Sequence, residues 1–204
     1  MTIKAVAFDI GGVLEDAPPL GVDQRWEQRL GLEPGEMAAR LDGIFEAAAV
    51  GAITEAELNR LVGDALELDQ VQLGQLMASV WDQYLGTLNV ELAEYFGGLR
   101  PAYRTGIISN SCVGAREREQ DRYRMAERAD VLIYSHEVGF TKPDPRIYQL
   151  AWQRLGVQPH ELIFLDDVQR NVAAARALGI HAILYTSTAQ SIADIQSCLE
   201  SWTA

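Results

Sequence analysis

The sequence predicts an α/β fold: an open parallel sheet with a helical segment inserted after its first strand. Three observations predict it. Five short runs, at residues 5–10, 105–109, 131–135, 162–166 and 181–186, are rich in β-formers and nearly continuous in apolar residues. Strands covered on both faces read this way, whereas half-exposed strands alternate. Helical segments separate the last four runs, as βαβ units require. Between the first run and the second, the stretch from Asp16 to Leu85 carries helical stripes and no strand pattern.

Each element of the insert has its own signal. Val22, Trp26 and Leu30 mark a first helix, and Met37, Leu41, Ile44, Phe45 and Ala48 a second. Leu58, Leu61, Val62, Ala65 and Leu66 lie at i, i+3, i+4, i+7 and i+8, behind a capping-box signature of Thr54 and Glu57. Leu73, Leu76, Met77, Val80 and Trp81 make the fourth stripe. The expectation is a four-helix insert over residues 16–86 and a sheet domain made of residues 1–15 and 87–204. Pro18, Pro19 and Gly21 on one side and residues 86–89 on the other read as linkers that let the insert move.

Composition narrows the partners. With 48% apolar residues, the 204-residue chain has enough to bury a substantial core. A net charge of −12 and a pI near 4.6 repel polyanions, which points away from nucleic acid and toward a small diffusible substrate. The opening segment MTIKAVAFDIGGVL has a short apolar run broken by Asp9 and no small-residue cleavage site, so it reads as neither signal peptide nor membrane span. The expectation is a soluble cytoplasmic protein with no membrane partner. Cys112 and Cys198 then read as free thiols.

Ligands of open α/β sheets bind beyond the carboxyl ends of the strands. Polar residues stand there: Asp9 after KAVAF, Ser109 and Asn110 after TGII, and Asp166 and Asp167 after LIFL, with Lys142 in the nearby GFTKPDP loop. Singly, each has a plain alternative as a helix cap, a loop starter or a solvated lysine. Jointly they suit phosphoryl transfer, which is mostly positioning and neutralisation of charge on the equatorial oxygens. In that reading Asp9 is the nucleophile and Asp167 helps hold a hard, oxygen-loving cation. Ser109 and Lys142 hold the phosphate, with Asn110 beside them as a substrate-binding residue.

FDIGGVL, IISNS, the lysine of TKPDPRIY, and FLDDVQRNVAAARALGI resemble the four ordered motifs of the haloacid dehalogenase superfamily, across essentially the whole chain. The insert is similar to that superfamily's helical cap. The wording of the motifs most resembles the group containing sugar-1-phosphate phosphatases and the phosphatase domain of soluble epoxide hydrolases. The resemblance implies a Rossmann-like core and a mobile cap that selects a small phosphorylated metabolite. It also implies Mg2+ held by Asp9, the backbone carbonyl of Gly11 and Asp167, with Asp166 behind or sharing the metal and Asn171 orienting the acidic pair.

One position departs from the pattern. Related phosphatases usually carry a second aspartate two residues after the nucleophile, as general acid and then base, and here that position is Gly11. The sugar-1-phosphate members resemble this chain there, and an anomeric oxygen leaves more readily than an ordinary alkoxide. Glu15 and Asp16 are substitute proton sources, although both read first as solvated linker residues. Two other functions share the motifs. A 2-haloacid dehalogenase uses the same aspartate without metal, but its relatives carry a serine-rich fourth motif where this chain has an acidic pair that requires a cation. A non-catalytic binding protein on the same fold is opposed by the joint presence of Asp9, Ser109, Lys142 and Asp167.

The remaining features have structural readings. Arg116, Arg118, Arg122 and Arg124 alternate with acids in AREREQDRYR, which describes a solvated helix face better than an anion site. Cys112 has no adjacent histidine to activate it. His136, His160 and His181 show no metal-ligand spacing.

Overall fold

The computed structural model describes residues 2–201. Strand β1 (Ala5–Phe8) leads into a tight loop and a short strand β2 (Glu15–Asp16). Five helices follow: α1 (Val22–Leu30), α2 (Glu36–Arg40), α3 (Ile44–Ala49), α4 (Glu55–Ala65) and α5 (Gln70–Leu85). The chain then passes through β3 (Thr87–Leu88), α6 (Val90–Gly98), β4 (Arg104–Ser109), α7 (Ala115–Tyr123), α8 (Met125–Arg128), β5 (Val131–Tyr134) and α9 (Ser135–Val138). It ends with α10 (Pro145–Leu155), β6 (Leu162–Asp166), α11 (Gln169–Ala177), β7 (His181–Leu184) and α12 (Thr188–Ser201).

Among the described residues the main sheet has five parallel strands in the order β5-β4-β1-β6-β7. Its strands are buried on both sides, which explains their continuous apolar runs. Val6, Phe8, Ile107, Ile163 and Leu165 pack with Leu92, Phe96, Met125 and Ile195 of the helices on one face. Ala5, Ala7, Ile108, Leu162 and Phe164 pack with Ile147, Tyr148, Ala151, Val172 and Ala175 on the other. Strand β1 is central, and Phe8 is in register with Ile107 on one side and Leu165 on the other. Residues that follow these positions therefore emerge together at one edge.

The insert forms its own apolar cluster, with Val22, Trp26, Met37, Leu58, Val62 and Leu76 at its centre. Thr54 and Glu57 form the capping box of α4: Glu57 N donates to Thr54 Oγ1 at 3.2 Å and Thr54 N to Glu57 Oε2 at 2.8 Å. The stripe from Met37 to Ala48 differs from expectation, because it is two short helices rather than one. Gly43 adopts φ +76° ahead of α3, a left-handed conformation that ends one helix and starts another. The two linkers also do more than connect. β2 and β3 pair antiparallel, Glu15 with Leu88 and Asp16 with Thr87, so entry to and exit from the insert are stitched together. No helix among the described residues is long and apolar enough to cross a membrane.

Candidate active site

The ends of β1, β4 and β6 and the loop before α10 bring the sequence-singled residues into one cluster. Asp9 follows Phe8 directly; it is 7% exposed, and its Oδ1 accepts from Ile10 N at 2.8 Å. Lys142 lies in the loop before α10, whose start is set by Asp144 capping Arg146 N at 2.9 Å with Pro145 in the first turn. Its side chain is fully buried, and Nζ stands 2.7 Å from Asp9 Oδ2 and 2.8 Å from Asp166 Oδ2. Asn110 pins the lysine from the main chain: Asn110 Nδ2 donates to Lys142 O at 2.9 Å, and Lys142 N donates to Asn110 Oδ1 at 2.7 Å. The Asn110 amide is thus engaged with its neighbour, while the residue also lines the cavity described below. Ser109, the last residue of β4, is buried beside this group.

The two aspartates at the end of β6 are not equivalent. Asp166 is fully buried, and its oxygens accept from Lys142 Nζ, Val168 N at 2.8 Å and Asn171 Nδ2 at 3.1 and 3.2 Å. Asp167 is exposed and lies against Gly12, where a Cβ would stand 2.2 Å from Asp167 Oδ2. Gly12 also has φ +76°, so both its space and its backbone demand glycine. Asp9, Asp166 and Asp167 each offer an oxygen within 4.8 Å of the others. Burial pushes the Asp9 carboxyl up to about 7, against the pull of Lys142, and burial together with Asp166 raises that of Asp167. Three carboxylates sharing one ammonium are short of positive charge. An all-oxygen donor set of this kind fits a hard divalent cation.

The tight loop after β1 is closed by Val13 N and Glu15 N, which both donate to Ile10 O, and by Gly12 N, which donates to Glu15 O at 2.8 Å. Glu15 is consequently not a solvated linker residue: it is 1% exposed, whereas Asp16 next to it is exposed. Burial, reinforced by Glu119, raises the Glu15 carboxyl to about 9, and Glu119 is itself raised by burial to about 7. Tyr134 Oη donates to Glu119 Oε2 at 2.6 Å. Sequence reasoning missed this buried acidic pair. Glu119 sits in the arginine-rich helix read as solvated, and the one hint was its place four residues after the buried Ala115.

Two of that helix's arginines hold the molecule together instead of facing solvent. Arg118 Nη2 pairs with Glu55 Oε1 of α4 at 2.5 Å while its guanidinium lies 4.0 Å from the Trp81 ring centroid. Arg116 pairs with Glu137 at 2.5 Å and stacks on Tyr134. Ser135 Oγ donates to Ala49 O at 2.7 Å and Tyr123 Oη to Gly86 O at 2.8 Å, which adds two more ties to the insert. Cys112 and Cys198 are free thiols, and burial lifts Cys112 to about 11. A cavity of about 410 Å³ opens between the insert and the strand ends, with Gly11, Gly12 and Asn110 on one side and Phe45, Met77 and Trp81 on the other.

A family model for haloacid dehalogenase-like hydrolases matches residues 3–179. The chain is 27% identical over 190 residues to the D-ribitol-5-phosphate phosphatase of Bacteroides thetaiotaomicron, an alignment covering 87% of this chain and 89% of that one. It is 24% identical over 214 residues to bifunctional epoxide hydrolase 2 of Rattus norvegicus, covering 96% of this chain but 39% of the relative, so it spans about two-fifths of that protein's length. Its fold superimposes with a TM-score of 0.79 on a HAD family enzyme of Bacteroides thetaiotaomicron solved with magnesium and inorganic phosphate. That pair is 24% identical over 90% of this chain and 94% of that one, and the likeness shows the fold. With the family's pattern running through nearly all of its sheet and insert, the chain belongs to the haloacid dehalogenase-like hydrolases.

Proposed function

We propose that the protein is a magnesium-dependent phosphatase of small phosphomonoesters that works through an aspartyl phosphate on Asp9. The observation that carries this reading is the shared lysine, 2.7 Å from Asp9 and 2.8 Å from Asp166, with Asp167 turned out beside them. Asp9 attacks phosphorus in line with the departing ester oxygen, and the P–O bond to the alcohol breaks as the acyl phosphate forms. Lys142 steadies the Asp9 carboxylate and the equatorial oxygens, and Ser109 holds the phosphoryl group from the β4 side. Water then attacks the acyl phosphate, releasing inorganic phosphate and restoring Asp9.

Mg2+ would be held by Asp9, the carbonyl of Gly11 and Asp167, where it supplies neutralisation of phosphate charge. The committed hydrogen bonds of Asp166 and the exposure of Asp167 support Asp167 as the direct ligand, with Asp166 fixing Lys142 and Asn171 fixing Asp166. Residues 16–86 act as a cap over the sheet domain of residues 1–15 and 87–204. The named activity of the ribitol phosphate phosphatase supports a small phosphorylated metabolite as substrate. An Asp9→Asn variant tests the reading: it is expected to fold normally, to lose turnover by at least a thousandfold, and to form no trapped phosphoenzyme. Near-normal turnover would remove Asp9 as nucleophile, and chloride release from 2-chloropropionate without magnesium would replace the phosphatase by a dehalogenase.

A further inference from the structure

The cavity beside Asp9 has an unusual lining for a site that receives a sugar phosphate. Its insert side is mostly apolar, made by Phe45, Leu58, Met77, Val80 and Trp81, with Gln83 and Tyr84 as its polar members. Against this wall stands one buried carboxyl, Glu15, which also lines the cavity. Glu15 Oε1 has no hydrogen-bond partner among the described residues, although the residue is 1% exposed. A buried polar atom left unsatisfied is costly, and it is retained where something else satisfies it.

Nothing in the fold compels a carboxylate at this position. β2 needs only a backbone there, since Glu15 pairs with Leu88 through main-chain bonds and its neighbours Val13 and Leu14 are buried apolar residues. Gly11, two residues after Asp9, lines this cavity and leaves it open there, since a Cβ built on it meets no atom within 4 Å, whereas the space over Gly12 is taken by the Asp167 carboxyl. A leaving group attached to a phosphoryl on Asp9 therefore has room to extend toward Glu15 and the apolar wall.

We infer that Glu15 is a specificity-determining residue, and that the cavity takes the alcohol portion of an arylalkyl-type phosphomonoester whose apolar body packs on Phe45, Met77, Val80 and Trp81 while one hydroxyl bonds to Glu15 Oε1. This rests on the phosphatase reading and narrows its substrate class. A polyol phosphate fits less well, because its several hydroxyls would lose water against a mostly apolar wall, where the Asn110 amide is already engaged by Lys142 and Gln83 Oε1 already accepts from Leu20 N. An apolar body gains from the same burial, and one hydroxyl is matched by Glu15 Oε1.

The test uses the full chain with magnesium chloride present and follows phosphate release from four esters: the isomeric hydroxyphenethyl phosphates as a set, phenethyl phosphate, D-ribitol 5-phosphate and p-nitrophenyl phosphate. Binding of the first three to Asp9→Asn protein is measured by calorimetry in parallel. The expected order of kcat/KM is the best hydroxyphenethyl isomer over phenethyl phosphate by about tenfold, and phenethyl phosphate over ribitol 5-phosphate by at least as much. Glu15→Leu should bring the hydroxyl-dependent ratio to about one, and Glu15→Gln, which keeps a hydrogen-bonding oxygen, should retain most of it. A ribitol ester preferred over both arylalkyl esters overturns the inference, as does a hydroxyl-dependent ratio unchanged in Glu15→Leu. Should Glu15→Leu not fold, the wild-type ranking and the Glu15→Gln ratio decide. Failure of all four esters to turn over would count against the phosphatase reading instead, and the calorimetric ranking alone would then decide the leaving-group preference.

Discussion

Lys142 Nζ lies 2.7 Å from Asp9 Oδ2, and the lysine side chain is fully buried. The same nitrogen reaches Asp166 at 2.8 Å, so one ammonium separates two carboxylates that would otherwise repel each other. Lys142→Met should therefore act on two properties at once. Turnover is expected to fall by at least a hundredfold, and stability by on the order of 3–5 kcal/mol, since buried carboxylates lose their counter-charge. Steady-state kinetics and urea denaturation check the two effects. A variant that lost activity with unchanged stability would show that the ion pairs contribute little to the fold.

Asp166 and Asp167 should respond differently to the same substitution. In Asp166→Asn an amide must face Lys142 Nζ, Val168 N and the Asn171 amide, so a donor is forced against donors. We expect a lower melting temperature and weak activity that magnesium does not restore. Asp167→Asn alters an exposed side chain, so the fold should be retained while the magnesium concentration needed for half-maximal turnover rises at least tenfold. Thermal melts and a magnesium titration separate the two, and reversed behaviour would exchange the roles assigned to them.

Gly11 stands where related phosphatases place a second aspartate, and the structure leaves space for one: a Cβ there meets nothing within 4 Å, and the backbone is outside the left-handed region. Without an acid at this position, turnover should depend steeply on how well the leaving oxygen carries negative charge, so aryl phosphates should outrun alkyl phosphates. Gly11→Asp should narrow that ratio by about tenfold by helping the poorer leaving group more. The measurement is the alkyl-to-aryl ratio of kcat in both proteins. An unchanged ratio, with chemistry rate-limiting, would point to another proton donor.

Glu15 makes a prediction about stability and pH. Its carboxyl titrates at about 9 in the folded protein against 4.5 unperturbed, so between those values the folded state keeps a proton that the unfolded chain has released. Stability then falls as pH rises through this window and levels off above it. Glu119, raised to about 7, acts in the same direction over the lower part of the range. Glu15→Gln removes one of these titrations. Its stability relative to wild type should be flat below about pH 4.5 and improve by on the order of a few kcal/mol by pH 9. Denaturation curves across that range check it, and parallel pH dependences of the two proteins would contradict the burial of this carboxyl.

Much of this architecture is legible in the chain because the signals are local. Apolar runs covered on both faces predict the five strands, helical stripes predict the insert, and the Thr54–Glu57 capping box appears where its spacing places it. Asp9, Ser109 and Asp166 converge because each ends or follows a strand and parallel strands in register deliver their ends to one edge, and the loop between α9 and α10 brings Lys142 to them.

Only the tertiary structure decided what depends on packing between distant segments. Glu15 and Glu119 carry no local mark of burial. They are enclosed because β2 pairs with β3, more than seventy residues later in the chain, and because α7 packs against the insert. Arg118 of α7 leaves solvent for the same reason, finding Glu55 and Trp81 across the interface. Likewise, the sequence by itself determined that an acidic pair ends β6 and its family resemblance favoured Asp167 as the ligand, while the difference between the two environments, with Lys142, Val168 and Asn171 all reaching Asp166, is visible only in space. Periodicity and turn chemistry are properties of neighbouring residues. Desolvation and hydrogen-bond commitment belong to neighbours that only folding supplies.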